Sequence, residues 1–372
     1  MESVVAIVAL FAEVAGPITA YAAFTHFVFA AVVFAGSAQL TQYMIRLNIA
    51  DVPNERSSHA RATPKSGGVA IAGSFFAGMA GLYILSDIAR LPTWQFVAFL
   101  ATSGVMFGAS LLDDLAGLRA SLKLAIQIGC ALAFSLFVAH IDGLSFPFAG
   151  KVSFGPLGYA LTVLWMIFFM NAFNFMDGIN GLAGGGALIA SAFLFLISLY
   201  GGAHFVYLSA LCLFAAVLGF FVYNFPHGKI FMGDTGSQII GFVMSGLAVI
   251  AARADMGQVS VVVVPVLFGC FIFDVSATLI YRLFRRKNLT EAHREHLYQI
   301  ANRLGFSHIR VSALYFALFV MSGLFGMLIQ AADPAARPVL LLGCILVFAP
   351  LGIMLYAAGL RAGVADLSAG NP

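Results

Sequence analysis

Nearly all the reactive polar side chains of this chain fall in five short stretches. In LLDDLAGLRASLK, residues 111–123, Asp113 and Asp114 directly follow an apolar run. Adjacent carboxylates repel, so keeping both ionised beside a membrane requires a cation or basic partners. Arg119 and Lys123, at the start of the next apolar run, can supply them. Such a pair suits a metal, a phosphate, or a base that activates an acceptor; the plainer reading is a solvated helix end. In NAFNFMDGINGLAGGG, residues 171–186, Asn171, Asn174 and Asp177 recur at every third position and share one helix face, with Asn180 beyond Gly178. Polar groups on an apolar helix are costly, so these side chains serve a site or bond to neighbouring helices.

In YNFPHGKIFMGDTGSQIIG, residues 223–241, Asp234 lies between Gly233 and Gly236 just ahead of an apolar run, with Lys229 nearby. Backbone N–H groups at a helix start hold phosphate, and a carboxylate there holds a divalent cation or caps the helix. The stretch 51–71, DVPNERSSHARATPKSGGVAI, gathers Asp51, Asn54, Arg56, His59, Arg61, Thr63 and Lys65 before Gly67-Gly68. It reads as a ligand loop or as a basic loop at lipid headgroups. The stretch 285–308 places His293, Arg294 and His296 close together. Guanidinium and imidazole suit a pyrophosphate. Asp274, inside FGCFIFDVSATLIYR, reads as support for the bundle or for a loop rather than as a reacting group. Cys130, Cys212, Cys270 and Cys344 sit singly in apolar runs and read as small buried hydrophobes.

Composition sets the elements that must position these residues. The chain has 372 residues, 61% of them hydrophobic and 9% charged, with 37 Phe, and its mean hydropathy is +0.98. A soluble domain carries about 25% charged residues. So much apolar surface cannot be hidden from water, which selects an integral membrane protein. It excludes a secreted disulfide scaffold, a disordered chain and a nucleic-acid binder of the basic-patch type. The expected fold is all-α, a polytopic helical bundle. Runs long enough for a hydrocarbon layer of ~30 Å lie near 20–46, 67–86, 94–112, 121–140, 157–173, 181–200, 204–223, 236–252, 259–281, 309–330 and 338–360, about eleven spans.

Alternating these spans collects every Lys and Arg except Arg90, Lys151, Arg253 and Arg337 on one side. The positive-inside bias makes that side cytoplasmic, with the N-terminus periplasmic and the C-terminus cytoplasmic. The loops 46–66, 113–123, 171–181, 224–237 and 282–308 then share the cytoplasmic face of a single domain, 1–372. A transporter carries polar groups near mid-bilayer and opens to both sides. Here they gather at one face, which points to an enzyme at the membrane surface. A carrier of polyprenyl phosphate or nucleotide sugar is the alternative.

Taken together and in order, the five stretches resemble the polyprenyl-phosphate N-acetylhexosamine-1-phosphate transferases. That polytopic family includes the enzymes that start O-antigen, enterobacterial common antigen and teichoic-acid linkage synthesis. It also includes the MurNAc-pentapeptide translocase and the eukaryotic dolichyl-phosphate GlcNAc-1-phosphate transferase. The resemblance spans residues 51 to 299. It implies transfer of a sugar 1-phosphate from a UDP-N-acetylhexosamine to undecaprenyl phosphate, with release of UMP, at the cytoplasmic face of a bacterial inner membrane. Mg²⁺ is the implied cofactor, with Mn²⁺ as a substitute. Membrane lipid is a further partner, nucleic acid is not, and family members often form a homodimer.

Residue by residue, the resemblance implies the following. Asp113 and Asp114 match the family's acidic pair at the acceptor-phosphate side, and with His296 they are the expected catalytic set. Asp234, in FMGDTGS, matches the Mg²⁺ carboxylate, and Asn174 matches an asparagine near that metal. Asp177 and Asn180 match the stretch that reads uridine, and Phe231 matches an aromatic that stacks on uracil. Lys123 and Arg294 match basic residues at the phosphates, and His59 in the first polar loop joins the substrate-binding set. Two departures narrow the reading. Many bacterial members have Asp where this chain has Asn180, and an amide cannot serve there as a base. The pentapeptide translocases carry a triple histidine where this chain reads Arg294-Glu295-His296, which argues for the O-antigen-initiating branch.

Overall fold

A computed structural model of the chain describes residues 20–48, 50–51, 63–86, 91–146, 149–253, 259–288 and 293–364. The helices are α1 (Ala20–Leu47), α2 (Gly67–Leu85), α3 (Thr93–Ala116), α4 (Ala120–Phe137), α5 (Leu157–Phe175), α6 (Leu182–Tyr200) and α7 (His204–Asn224). They continue as α8 (Gly233–Ala251), α9 (Val263–Leu267), α10 (Gly269–Phe284), α11 (Leu297–Arg303), α12 (His308–Ala331), α13 (Arg337–Val347) and α14 (Ala349–Arg361). Two small antiparallel pairs, β1 (Ala50–Asp51) with β2 (Thr63–Pro64) and β3 (Gly143–Phe146) with β4 (Gly150–Ser153), lie between helices. Among the described residues, 10 helical spans are long and apolar enough to cross a membrane. The chain is a polytopic all-α membrane protein.

Three details differ from the expectations drawn from sequence. The run 259–281 is not one helix, because it breaks between α9 and α10 at Phe268. Pro265, in the first turn of α9, lacks the N–H that would bond back to residue 261, which accounts for the start of α9 at Val263 rather than at 259. Gly269 follows, with the ring of Phe348 against its backbone. Phe348 is itself the break between α13 and α14, just ahead of Pro350. Two interrupted helices thus pack break against break. The second difference is that Asp113 and Asp114 belong to the last turn of α3 rather than following it. Third, α5 stops at Phe175, so Asp177 and Asn180 lie in the turn beyond the helix that carries Asn171 and Asn174. The Tyr298 hydroxyl fills the place a side chain at Gly178 would need.

The axis of the bundle is α8, whose spanning window is 94% buried, against 11% for α1 at the rim. Lipid is as apolar as a side chain, so close packing rather than exclusion of water holds such helices together. Phe134 packs on Phe242 of α8, and Phe268 packs edge-on against Phe169 and Phe319. At the upper end of α8 the contact is closer still. A Cβ on Gly68 would collide with the backbone of Gly236, so α2 and α8 touch main chain to main chain. Overpacking a tight contact costs roughly 1–3 kcal/mol. Gly68→Ala is therefore expected to lower the thermal midpoint of the detergent-purified protein. Gly81→Ala, on the same helix with nothing within 4 Å of the added carbon, is expected to leave it unchanged.

Candidate active site

The first turn of α8 is the focus of the polar groups. Asp113 and Asp114 are neighbours on α3, so their side chains leave the helix about 100° apart and meet different partners. Asp113 turns to α4, where Lys123 forms an ion pair with it. The same Lys123 Nζ lies 3.3 Å from Asp234 Oδ2, so one ammonium bridges carboxylates from α3 and α8. The Leu118 N–H donates to Asp113 Oδ1 at 2.7 Å and ties the α3–α4 turn to the same group. Asp114 turns instead to the end of α8. It accepts the N–H groups of Asp234 (3.1 Å) and Thr235 (2.8 Å) and the Thr235 hydroxyl (2.6 Å). The first N–H groups of a helix have no partner within it; here another helix supplies the cap. Gly233, at φ +66°, leaves room for this carboxylate, since a Cβ there would press on Asp114 and on the Lys65 carbonyl.

Asn174, near the end of α5, donates its Nδ2 to Asp234 Oδ1 at 3.0 Å and to Ser237 Oγ at 2.8 Å. With its Nδ2 turned this way, Asn174 is the hydrogen-bond partner of Asp234 in this structure. Among the described residues no group of three or more His, Cys, Asp or Glu forms a metal cage. Mg²⁺ needs less than that, since it takes one or two carboxylates plus substrate phosphates and water. Asp113 and Asp234 both meet the Lys123 ammonium, and two carboxylates gathered on one ammonium leave a negative charge for a cation to balance. The donor set therefore fits a hard divalent ion, with Asp234 and Asp113 as its holders.

The second half of the site joins at the next residue of α5. The Phe175 ring stacks on His296, with centroids 5.7 Å apart, and its carbonyl accepts the Tyr298 hydroxyl at 3.0 Å. Asp274 of α10, fully buried, accepts the N–H groups of Leu297 (2.9 Å) and Tyr298 (3.3 Å) at the start of α11, and the Tyr315 hydroxyl (2.6 Å). Its Oδ1 lies 3.3 Å from His296 Nδ1. The supporting role expected of Asp274 is thus given a definite form. Arg282 and Lys287 both bind Glu295, the lysine at 2.6 Å. Burial alone would raise that carboxyl, but the hydrogen bonds from Lys287 and Arg282 outweigh it and hold the group below the ordinary carboxylate range.

The sequence-derived candidates therefore separate into groups. Asp113, Asp114, Lys123, Asn174 and Asp234 are joined by direct contacts. His296 is 3% exposed and built into a wall, and among the described residues it makes no hydrogen bond or ion pair with those carboxylates. Half-buried Arg294 precedes it in the same segment. The side chain of Asn180 lies against Gly228, in the turn that leads to Phe231. Phe231 N–H donates to the Pro64 carbonyl at 2.7 Å, while Gly67 N–H donates to the Phe231 carbonyl at 2.9 Å. The end of the first polar loop is thereby pinned beside α8. His59 lies outside the described residues.

One contributor escaped the sequence reading. Asn224 accepts the Gly181 N–H at 2.9 Å and donates to the Ile230 carbonyl at 2.8 Å, fixing the Phe231 turn to the start of α6. Its signal is a lone amide at the end of an apolar run, just before Phe225-Pro226. His293, grouped with Arg294 and His296 in the sequence, packs tilted against His296 with ring centroids 4.9 Å apart, and its buried Nδ1 has no partner among the described residues. Burial, the neighbouring His296 and Arg282 push its imidazole down to about 4, so it is neutral at physiological pH.

The fold and this cluster define a polytopic membrane enzyme acting on phosphates, and comparison with known proteins gives the family. The description of glycosyl transferase family 4 matches residues 96–252. A probable undecaprenyl-phosphate N-acetylglucosaminyl 1-phosphate transferase of Bacillus subtilis is 30% identical over 75% of this chain and 76% of its own length. A decaprenyl-phosphate N-acetylglucosaminephosphotransferase of Mycobacterium tuberculosis is 31% identical, covering 72% of each chain. An undecaprenyl-phosphate alpha-N-acetylglucosaminyl 1-phosphate transferase of Salmonella typhi is 27% identical over 71% of each. The chain belongs to this family of polyprenyl-phosphate sugar 1-phosphate transferases.

Asp177 gives the site a pH signature. Burial, then the charges of Asp234 and Asp114, push its carboxyl up to about 7. Between the ordinary value of 3.8 and about 7, the folded protein holds a proton that the unfolded chain has lost. Its contribution to stability is therefore complete below the ordinary value and is lost as pH rises through about 7. Asp177→Asn removes this titration. The thermal midpoint of wild type relative to Asp177→Asn is expected to fall between pH 5 and pH 8; a constant difference would contradict the raised carboxyl.

Proposed function

We propose that this protein transfers N-acetylhexosamine 1-phosphate from a UDP-N-acetylhexosamine to undecaprenyl phosphate. UMP leaves, and a lipid-linked diphospho-sugar remains to start a surface glycan of the O-antigen type. The site faces the cytoplasm of a bacterial inner membrane. The observation that carries the reading is the Lys123 ammonium held between Asp113 and Asp234 at the capped start of α8. The relatives support the acceptor and the reaction class, and their N-acetylglucosaminyl specificity makes UDP-N-acetylglucosamine the first donor to assay.

The step is a displacement at the sugar-bound phosphorus. An oxygen of the acceptor phosphate forms the new P–O bond, and the bond to the UMP oxygen breaks. Both reactants are anionic, so positioning and charge screening dominate catalysis. A divalent ion held by Asp234 and Asp113 supplies the screening of the diphosphate. Lys123 stabilises the phosphate oxygens, and Asn174 holds the Asp234 carboxylate in one orientation. Asp114, engaged by three donors, fixes the end of α8, so Asp113 is the freer member of the pair to orient the acceptor. His296 holds the wall that carries His293 and Arg294 toward the donor, while Asp177, Asn180 and Phe231 line the nucleoside end.

The test is UMP release by the detergent-purified protein with undecaprenyl phosphate and a panel of UDP-N-acetylhexosamines. Detergent removes compartments, so a transporter releases no UMP, and that outcome sinks the proposal. Asp234→Ala is expected to lower turnover at least about a hundredfold, the scale of a lost electrostatic stabiliser. EDTA is expected to abolish activity and Mg²⁺ or Mn²⁺ to restore it; full activity after chelation removes the metal from the reading.

A further inference from the structure

One turn deeper than Lys123, Asn174 and Asp234, the same three helices carry Gln127, Asn171 and Gln238. Gln127 and Gln238 are 4% and 7% exposed. A single backbone group fixes the direction of the hydrogen bonds that join them. The Ile167 carbonyl can only accept, and Asn171 Nδ2 donates to it at 2.8 Å. The same Nδ2 donates to Gln127 Oε1 at 3.0 Å, which turns Gln127 Nε2 toward Gln238 Oε1, also at 3.0 Å. Each amide passes its polarity to the next, and Gln238 is left with its NH₂ as the outer end of the chain. No hydrogen bond reaches that NH₂ among the described residues. Gln238 is buried except where it meets the pocket it lines, so this NH₂ is free to donate to an acceptor that enters there.

Gln238 lines a pocket between α3, α4 and α8. Asp113, Lys123 and Asp234 form its charged side, and Met106, Ala109 and Ile126 form an apolar wall. The occupant that satisfies both sides has an anionic, hydrogen-bond-accepting head attached directly to hydrocarbon. A nucleotide diphosphate carries ribose and sugar beside its phosphates, not hydrocarbon; an alkyl phosphate fits. We infer that this pocket receives the head of the acceptor lipid, with the Gln238 NH₂ donating to a phosphate oxygen and Met106, Ala109 and Ile126 holding the first isoprene unit. Gln127 and Asn171 are positioning residues that fix which end of the Gln238 amide faces the lipid. The lipid named here rests on the proposed function.

Gln238→Glu keeps the shape but points a carboxylate at the phosphate, and Gln238→Met removes the donor. Each is expected to raise KM for undecaprenyl phosphate about tenfold or more, with KM for the UDP-sugar and the thermal midpoint little changed. An unchanged acceptor KM in a folded variant overturns the inference. So does an equal rise in both KM values, or a loss of thermal stability alone, since packing explains those. Should neither variant fold, the wild-type protein decides: farnesyl phosphate with a diazirine on its first isoprene is expected to label Met106, Ala109 or Ile126. Labelling confined to other helices overturns the inference. Absence of UMP release by wild type, with the pocket still labelled, counts against the proposed reaction and not against the pocket.

Discussion

The arrangement depends on how buried carboxylates are kept ionised at the end of a membrane helix. Removing a charge from water is costly unless a partner replaces the solvent. Three aspartates meet at the start of α8, and they solve the problem in two ways. Asp114 takes the free N–H groups of the helix start, where the helix dipole also favours negative charge. Asp113 and Asp234 share Lys123. One ammonium for two carboxylates leaves the pair short of positive charge. A cation would make up the deficit, and in the proposed reaction the divalent ion on the diphosphate would be that cation. The electrostatic need of the fold and that of the reaction are the same.

This explains why α8 is central to the bundle and to the candidate site alike. Its first turn is held by Asp114 from α3, Lys123 from α4 and Asn174 from α5, while α2 presses against it through Gly68 and Gly236. No single helix owns the site. A shift of α8 along its axis would break the cap, the ion pair and the amide bond together. The amides of Gln127, Asn171 and Gln238 repeat the cross-links one turn deeper, where polar bonds between helices set register in a medium that offers no competing water.

Much of this was legible in the sequence, and the remainder has a physical reason for being hidden. Asp113, Asp114 and Asp234 stand out because carboxylates are rare in apolar surroundings and sit beside glycine or basic residues. The lone Lys123 near the start of α4 is legible for the same reason. What spacing cannot reveal is direction. It does not tell that Asp114 caps a distant helix while its neighbour Asp113 binds a lysine, because that follows from how α3 lies against α8. It also placed Asp177 on the face of Asn174, since the end of α5 is set by Tyr298 pressing on Gly178, a contact between residues far apart in sequence. Gln127 and Gln238 gave no signal, because a single amide in an apolar run has no local partner. The broken helices at Phe268 and Phe348 were hidden by uniform hydropathy, although Pro350 marked the second place.

The His296 side of the site repeats the device found at α8. Asp274 accepts N–H groups at the start of α11 just as Asp114 does at the start of α8, and in both cases the carboxylate comes from another helix. The difference lies in access. Asp274 is sealed and has aromatic and imidazole partners from two further elements, so it locks the segment carrying His293 and Arg294 in one place. Asp114 stands beside groups open to the outside. The two capped helix ends meet through adjacent residues of α5, with Asn174 touching Asp234 and Phe175 touching His296 and Tyr298. The end of α5 therefore sets the distance between the two walls, and a ligand that spans them is measured against two consecutive positions of one rigid helix.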